Sequence, residues 1–166
     1  MRNVEAKFAL SDIALTRRRA EGAGFQLTAT LTQHDTFFVV PNGKLKLREQ
    51  SDGAWLIHYV RRRAEGFELS NYNIVPVSRP LELRTMLNAA LGPLAEVRKR
   101  RTLLRRGTIR LHLDQVDNLG DFGEIEAILD PDEDPVKSRA EVGEILAALQ
   151  ISPSELIESS YFQLKR

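Results

Sequence analysis

Polar and apolar residues alternate with a period of two through most of the chain, and helical spacing is confined to a few segments near its ends and middle. Asn3 to Ala9 alternates and predicts a strand. Ser11 can cap a helix over about residues 12–23, whose decay is marked by Gly22 and Gly24. Residues 25–40 are rich in threonine, phenylalanine and valine and favour extended chain, which Pro41-Asn42-Gly43 ends as a turn. Strands are predicted over residues 44–50, 55–63 and 67–77, with Ser51-Asp52-Gly53 turning between the first two. Ser78 and Pro80 open a helix with an apolar stripe of Leu81, Leu83, Leu87, Ala90 and Leu91, and Gly92-Pro93 closes it. Three more strands follow, over about residues 96–104, 108–116 and 122–129. A helix then runs from Asp134-Pro135 to Leu149. Ser152-Pro153-Ser154-Glu155 reads as a capping box starting a short helix that ends near Glu158. The pattern is α+β with mostly antiparallel neighbours, and no repeat, linker or low-complexity segment divides it.

Successive side chains of a strand point to opposite faces, so the alternation sorts the charges. Leu45 and Leu47 share one face while Lys46 and Arg48 share the other. Ile109, Leu111 and Leu113 oppose Thr108, Arg110, His112 and Asp114. Glu5 and Lys7 flank Ala6, Glu124 and Glu126 flank Ile125, and Lys99 and Arg101 share a phase. One such strand is the wetted side of an ordinary sheet. Five of them, with paired cations on some and paired carboxylates on others, fit strands that curl until their ionic faces converge. Two like charges about 8 Å apart repel by roughly 2 kcal/mol at an effective dielectric near 20, so facing cations call for carboxylates or a bound anion between them.

Composition narrows the chemistry. The 166 residues are 42% hydrophobic, enough for one core and short for two ordinary domains, so one domain over residues 1–166 is expected. The 24 lysines and arginines nearly balance 23 acidic residues, which argues against a general polyanion binder and makes any basic site local. With no cysteine there is no disulfide, thiolate nucleophile, Cys-ligated zinc or iron–sulfur cluster. Metal must sit on oxygen or imidazole, and His34, His58 and His112 form no HExxH-type pair, so Mg²⁺ or Mn²⁺ on carboxylates is favoured over zinc. The N-terminus has no signal-peptide h-region and no window suits a membrane span, so a soluble, cytoplasmic protein without a membrane partner is expected.

Four segments together resemble the CYTH, or triphosphate tunnel metalloenzyme, superfamily. Asn3-Val4-Glu5-Ala6-Lys7 is similar to its N-terminal ExExK signature, and residues 33–48 (QHDTFFVVPNGKLKLR) resemble the hairpin of its class IV adenylate cyclases. Residues 97–101 (VRKRR) and 108–126 (TIRLHLDQVDNLGDFGEIE) resemble its later strands. The resemblance spans nearly the whole chain. It implies a closed, mostly antiparallel eight-stranded barrel or tunnel with helices packed outside. It also implies phosphate-binding roles for Lys46, Arg48, Arg61, Lys99 and Arg101, and metal-holding roles for Glu5, Asp114, Glu124 and Glu126; Arg110 and His112, in phase with Asp114, are expected to face inward as well, which makes Arg110 a further substrate-binding candidate. Lys7 and Glu5 are the catalytic candidates, Lys7 to contact phosphate or polarise a nucleophilic water or hydroxyl. The implied substrate is a triphosphate such as ATP, tripolyphosphate or thiamine triphosphate. The implied reaction is ATP to cyclic AMP and pyrophosphate or, alternatively, triphosphate hydrolysis, and a homodimer is compatible with it.

Two positions depart from the family pattern: Asn3 stands for the first glutamate of the signature, and Glu68 stands where cyclase-like sequences carry a lysine. Both raise a non-catalytic polyphosphate-binding module as a further alternative. The arginine runs at residues 17–19, 61–63 and 98–101, with Arg105 and Arg106, allow a nucleic-acid reading, but the near-neutral charge weighs against it. Trp55, Tyr59 and Phe67 read as barrel-wall or core residues. His34 with Asp35 reads as a hydrogen-bonded strand-end pair, and the acidic residues 130–134 as a loop entering a helix N-terminus.

Overall fold

The computed structural model describes residues 1–64 and 67–164. Eight strands, β1 (Arg2–Leu10), β2 (Gln26–Phe38), β3 (Lys44–Gln50), β4 (Gly53–Ala64), β5 (Phe67–Pro76), β6 (Pro93–Arg106), β7 (Ile109–Val116) and β8 (Gly120–Leu129), close into a barrel. Around the barrel they run in the order β1-β5-β4-β3-β2-β6-β7-β8, and every neighbouring pair is antiparallel. Helices α1 (Ile13–Gly22), α2 (Pro80–Leu91) and α3 (Pro135–Ala148) lie outside, and a short α4 (Tyr161–Leu164) ends the described chain. Among the described residues no helix is long and apolar enough to cross a membrane.

The barrel is inverted relative to a small barrel filled by apolar side chains. Val4, Ala6 and Phe8 of β1, Ile109, Leu111 and Leu113 of β7, and Ile125, Ala127 and Leu129 of β8 point outward. There they pack with Ala20 of α1 and Val142, Ile145 and Leu146 of α3 into one buried cluster. Fully burying a side chain the size of Phe8 or Leu111 stabilises by about 1.5–3 kcal/mol. The main core therefore lies between barrel wall and helices, which frees the interior for ionised groups. The alternation places both sets with no further device.

Turns and caps follow the local sequence with small corrections. The N-cap of α1 is Asp12 rather than Ser11, its carboxylate accepting from the Leu15 N–H at 2.8 Å. Asp134 caps α3 by accepting from Val136, with Pro135 in the first turn. Gly43 in the Pro41-Asn42-Gly43 turn has φ +68°, and a Cβ there would stand 2.6 Å from the Tyr59 carbonyl oxygen. Helix α2 starts at Pro80 from an Arg79 cap without a side-chain bond, not from Ser78. Its stripe is only half covered: Leu83 and Leu87 are half-buried, while Leu81, Met86 and Leu91 are exposed.

The C-terminal segment differs most from expectation. The Glu155 carboxylate accepts from the Ser152 N–H at 2.7 Å, as a capping box requires, but the turn is a single 3-10 piece, Pro153–Glu155. Beyond it Leu156 is extended and bridges Phe8, and the Ile157 N–H donates to the Lys7 carbonyl at 2.8 Å. The cause lies in β1, whose pairing with β5 stops at Glu5. The remaining edge of β1 takes the tail as a partner instead, because backbone groups of a buried strand must be paired. This capture delivers Tyr161 and Phe162 to one end of the barrel, where they pack with Phe37, Val97 and Phe122.

Gly123 of β8 is the register partner of Phe8, and a Cβ on it would stand 2.1 Å from the Phe8 ring. Gly123→Ala should therefore destabilise the fold by about 1–3 kcal/mol through overpacking, seen as a lower urea midpoint at unchanged slope.

Candidate active site

The barrel encloses a cavity of about 510 Å³ lined by the inward faces of all eight strands and by Ser160 and Tyr161 of the tail. Its middle is built from two matching ion clusters. On β2 and β3, Asp35 accepts from Arg48 Nε and Nη2, both at 2.7 Å, and from Lys46 Nζ at 3.0 Å. On β7 and β6, Asp114 accepts from Arg101 Nε at 2.7 Å and Nη2 at 2.6 Å, and from Lys99 Nζ at 2.9 Å. In each cluster a Lys-x-Arg strand presents both cations to one aspartate, and the arginine is that aspartate's register partner. Tyr161 donates its hydroxyl to Asp114 at 2.9 Å, and its ring lies 4.5 Å from Lys7 Nζ and 4.9 Å from Lys99 Nζ.

These pairs are almost dry. Asp35 is 2% exposed, Asp114 0%, Lys99 4% and Arg101 6%. Burial opposes the charge on Asp114, yet Arg101 and Lys99 more than offset it and hold the carboxyl far below its usual range. Asp35 behaves likewise, burial being outweighed by Arg48 and Lys46. The lysines move the other way. Burial, with Arg48 beside it, brings Lys46 down to about 7, and burial with Arg101 beside it brings Lys99 down to about 8.

A second group faces these cations from β1, β7 and β8. His112, Glu124 and Glu126 bring one donor atom each within 4.8 Å of one another, a spacing that could hold a metal ion. Glu124 lies 3.3 Å from Lys7 Nζ and 3.3 Å from His112 Nδ1, and Lys7 and Glu124 are register partners. Burial opposes ionisation of Glu124, but Lys7, the bond to His112 and Arg101 hold its carboxyl low. Burial and Arg101 lower His112, favouring the neutral imidazole that ligates metals. Glu126 stands 3.8 Å from Arg110 and 3.8 Å from His112 Nδ1. Glu5 binds Arg61 at 2.6 Å, and burial raises it to about 8 despite that partner.

All the sequence-predicted residues meet here, with changed emphasis. Lys46, Arg48, Arg61, Lys99, Arg101 and Arg110 line the cavity with Glu5, Lys7, Glu124 and Glu126. Asp114 was expected with the metal-holding acids, but both its oxygens are engaged by Arg101, Lys99 and Tyr161, the geometry of a counter-ion. His112 takes the place beside Glu124 and Glu126 instead. Glu68 sits beside Glu5 in register, and Arg61 bridges the two, reaching Glu68 at 2.9 Å. Asn3 is buried in the wall, 3.5 Å from Glu5.

His34 and Asp35 do not pair. His34 points outward to Glu96 at 3.0 Å while Asp35 points into the tunnel, since adjacent strand residues face opposite sides. That same phase, shared with Gln33 and Phe37, was the signal that could have marked Asp35. Tyr161 carried no such signal, because its place depends on the long-range capture of the tail by β1. Of the arginine runs, Arg17 and Arg18 are exposed, Arg19 donates to the Leu149 carbonyl, and Arg98 and Arg100 face outward.

Fold and site together form a closed antiparallel barrel whose interior is a charged tunnel, with a His–Glu–Glu group facing paired Lys-x-Arg strands. Residues 1–161 match the CYTH domain, and the chain belongs to that family. It is 25% identical over 177 residues to a Methanocaldococcus jannaschii protein named "Putative adenylate cyclase MJ0240", covering 99% of each chain. The PH1012 protein of Pyrococcus horikoshii has the same fold, with a TM-score of 0.89 at 19% identity over 98% of both chains. A Hippeastrum protein described as a putative adenylyl cyclase with a dominant triphosphatase activity shares it at a TM-score of 0.69 and 15% identity, over 98% of this chain and 94% of its own. The family implies a divalent metal and a triphosphate small molecule.

Burial brings Lys46 and Lys99 down to about 7 and about 8, and each attracts an anion only in its protonated form. Tripolyphosphate binding should therefore take up protons and weaken as pH rises through these values. Calorimetry in buffers of different ionisation enthalpy measures the uptake directly.

Proposed function

We propose that this protein is a metal-dependent enzyme that cleaves a triphosphate within the tunnel, in the manner of a class IV adenylate cyclase acting on ATP. The observation that carries this is the charge of the interior. Lys7, Lys46, Arg48, Arg61, Lys99, Arg101 and Arg110 outnumber Glu5, Asp35, Asp114, Glu124 and Glu126, leaving a positive excess suited to a metal–triphosphate complex of net negative charge. Asn3 Oδ1, Gln33 Oε1, Ser70 Oγ, Arg61 Nε and Arg110 Nε are buried in the wall without a hydrogen-bond partner. A buried polar atom left unpaired costs about 1–3 kcal/mol, which a ligand rich in donors and acceptors would recover.

The donor set fits a hard divalent cation. His112, Glu124 and Glu126 would hold it, as oxygen and imidazole donors within 4.8 Å of one another suit Mg²⁺ or Mn²⁺. When bound, such an ion supplies charge neutralisation on the phosphate oxygens. The chain's own residues do the rest. Lys46, Arg48, Lys99 and Arg101 bind and align the phosphates by charge-assisted hydrogen bonds, pre-oriented by Asp35 and Asp114. Lys7 Nζ, held between Glu124 and the Tyr161 ring, is placed to donate to a phosphate oxygen or to the attacking oxygen. Glu5, raised by burial to about 8, keeps its own proton at neutral pH and becomes able to take the proton of that nucleophile as pH rises toward that value.

The nucleophile decides the product: the ribose 3′-hydroxyl gives cyclic AMP and pyrophosphate, and water gives hydrolysis. The triphosphatase activity ascribed to the Hippeastrum neighbour favours hydrolysis as the second reading. Asn3, which removes one charge from the signature, and Glu68, which occupies Arg61, favour a third, a non-catalytic triphosphate-binding module.

Incubation with ATP, tripolyphosphate or thiamine triphosphate, each with Mg²⁺ or Mn²⁺, should give metal-dependent product, and none from any combination would contradict catalysis. Arg48→Ala should raise KM by tenfold or more, since a lost charge-assisted bond is worth about 1.5–3 kcal/mol. Glu126→Gln should raise the metal concentration needed for half-maximal rate. Kinetics equal to wild type for both would place the site elsewhere.

A further inference from the structure

The tail that closes one end of the barrel also reaches the working groups. Its two aromatic residues arrive together and meet different partners. Phe162 packs on Phe37, ring centroids 4.8 Å apart, and the cation over its ring is Lys44 at 5.1 Å, which bonds to Ser160 and is no part of the cavity lining. Tyr161 lines the cavity and is 7% exposed. Its hydroxyl donates to Asp114 Oδ2, the oxygen that also accepts from Lys99 Nζ and Arg101 Nη2. Its ring takes Lys99 Nζ at 4.9 Å and Lys7 Nζ at 4.5 Å. Lys99 belongs to the Asp114 cluster, and Lys7 to the opposing acidic group, where it pairs with Glu124. Tyr161 therefore touches both halves of the site, and its tilted packing on Phe122 at 5.1 Å fixes the orientation of the ring.

An arginine is oriented by the planar fork it presents to a carboxylate, whereas a lysine ends in a point charge on a flexible stem and needs other walls to hold it. A second carboxylate beside Lys7 would hold it by cancelling its charge. An aromatic face attracts an ammonium through its quadrupole and leaves the charge available to an incoming phosphate. The tail also holds the main chain of the same residue, the Ile157 N–H donating to the Lys7 carbonyl at 2.8 Å. Lys7 is thus gripped at backbone and at ammonium by one segment that lies outside the eight strands.

We propose that Tyr161 is a positioning residue of the active site. Its ring holds Lys7 beside Lys99 and its hydroxyl steadies the Asp114 cluster, so the tail, and not the strands alone, sets the spacing between the phosphate-binding cations and the acidic group. This rests on the triphosphate reading above and adds to it a residue from outside the barrel wall.

In the full chain, Tyr161→Leu, Tyr161→Phe and Phe162→Leu are compared by calorimetry with tripolyphosphate and by turnover of ATP, tripolyphosphate and thiamine triphosphate with Mn²⁺. Tyr161→Leu should weaken tripolyphosphate binding and lower kcat, each by about tenfold, because both lysines lose the ring. Tyr161→Phe should recover most of kcat while affinity stays several-fold low, since the ring returns without the bond to Asp114. Phe162→Leu removes a similar ring from the same apolar cluster, so it should lower the urea midpoint comparably yet keep affinity and kcat within about twofold of wild type. Equal losses of affinity and kcat in Tyr161→Leu and Phe162→Leu, or a Tyr161→Phe no better in kcat than Tyr161→Leu, would reduce Tyr161 to packing and overturn the proposal while the triphosphate tunnel stands. If the wild type binds tripolyphosphate without turnover, the affinities of Tyr161→Leu and Phe162→Leu decide alone. If it neither binds tripolyphosphate nor turns over any of the three, the triphosphate reading falls and this inference falls with it.

Discussion

The structure depends on two aspartates that hold four cations inside a closed barrel. Lys46, Arg48, Lys99 and Arg101 would repel one another strongly in so dry a space, and each would prefer water. Asp35 and Asp114 each accept a two-pronged bond from an arginine and a further bond from a lysine. Breaking a buried pair of this kind costs on the order of 3–5 kcal/mol, so the fork both permits the fold and fixes the cations in place. Because a carboxylate can share arginine and lysine protons with an incoming phosphate, the same fork that steadies the barrel leaves it receptive to a polyanion.

Around that constraint the molecule is organised by polarity. Its largest apolar core is moved outside, where α1 and α3 cover β1, β7 and β8. One end of the tunnel is stoppered by Tyr161 and Phe162, which the free edge of β1 draws into place. The result is a tunnel with an ionic interior, in which the His112–Glu124–Glu126 group faces the forks. Electrostatic preorganisation of this sort places fixed charges where phosphate charge must be held, before substrate arrives.

Much of this was legible in the sequence, and for one reason. A strand's side-chain period is two, so an ionic and an apolar set in alternate phase declare the two faces of a wall before its partners are known. That is why Lys46, Arg48, Lys99, Arg101, Glu124 and Glu126 could be placed together. What stayed hidden depended on partners distant in sequence. The counter-ion role of Asp114 follows from its facing Arg101 across β6 and β7, and the tail's path follows from an unpaired stretch of β1. The exposed side of α2 is hidden likewise, since helical spacing marks an apolar stripe but not how much of it a neighbour will cover. Asp35 was a different case: its phase was available and its neighbour His34 was misleading.

The most direct test is a crystal structure with a non-hydrolysable nucleoside triphosphate and Mn²⁺. Phosphates should lie among Lys46, Arg48, Lys99 and Arg101, with the manganese anomalous peak beside His112, Glu124 and Glu126. A nucleotide bound instead on the outward arginines Arg98 and Arg100, with nothing inside the barrel, would contradict the tunnel as the working site.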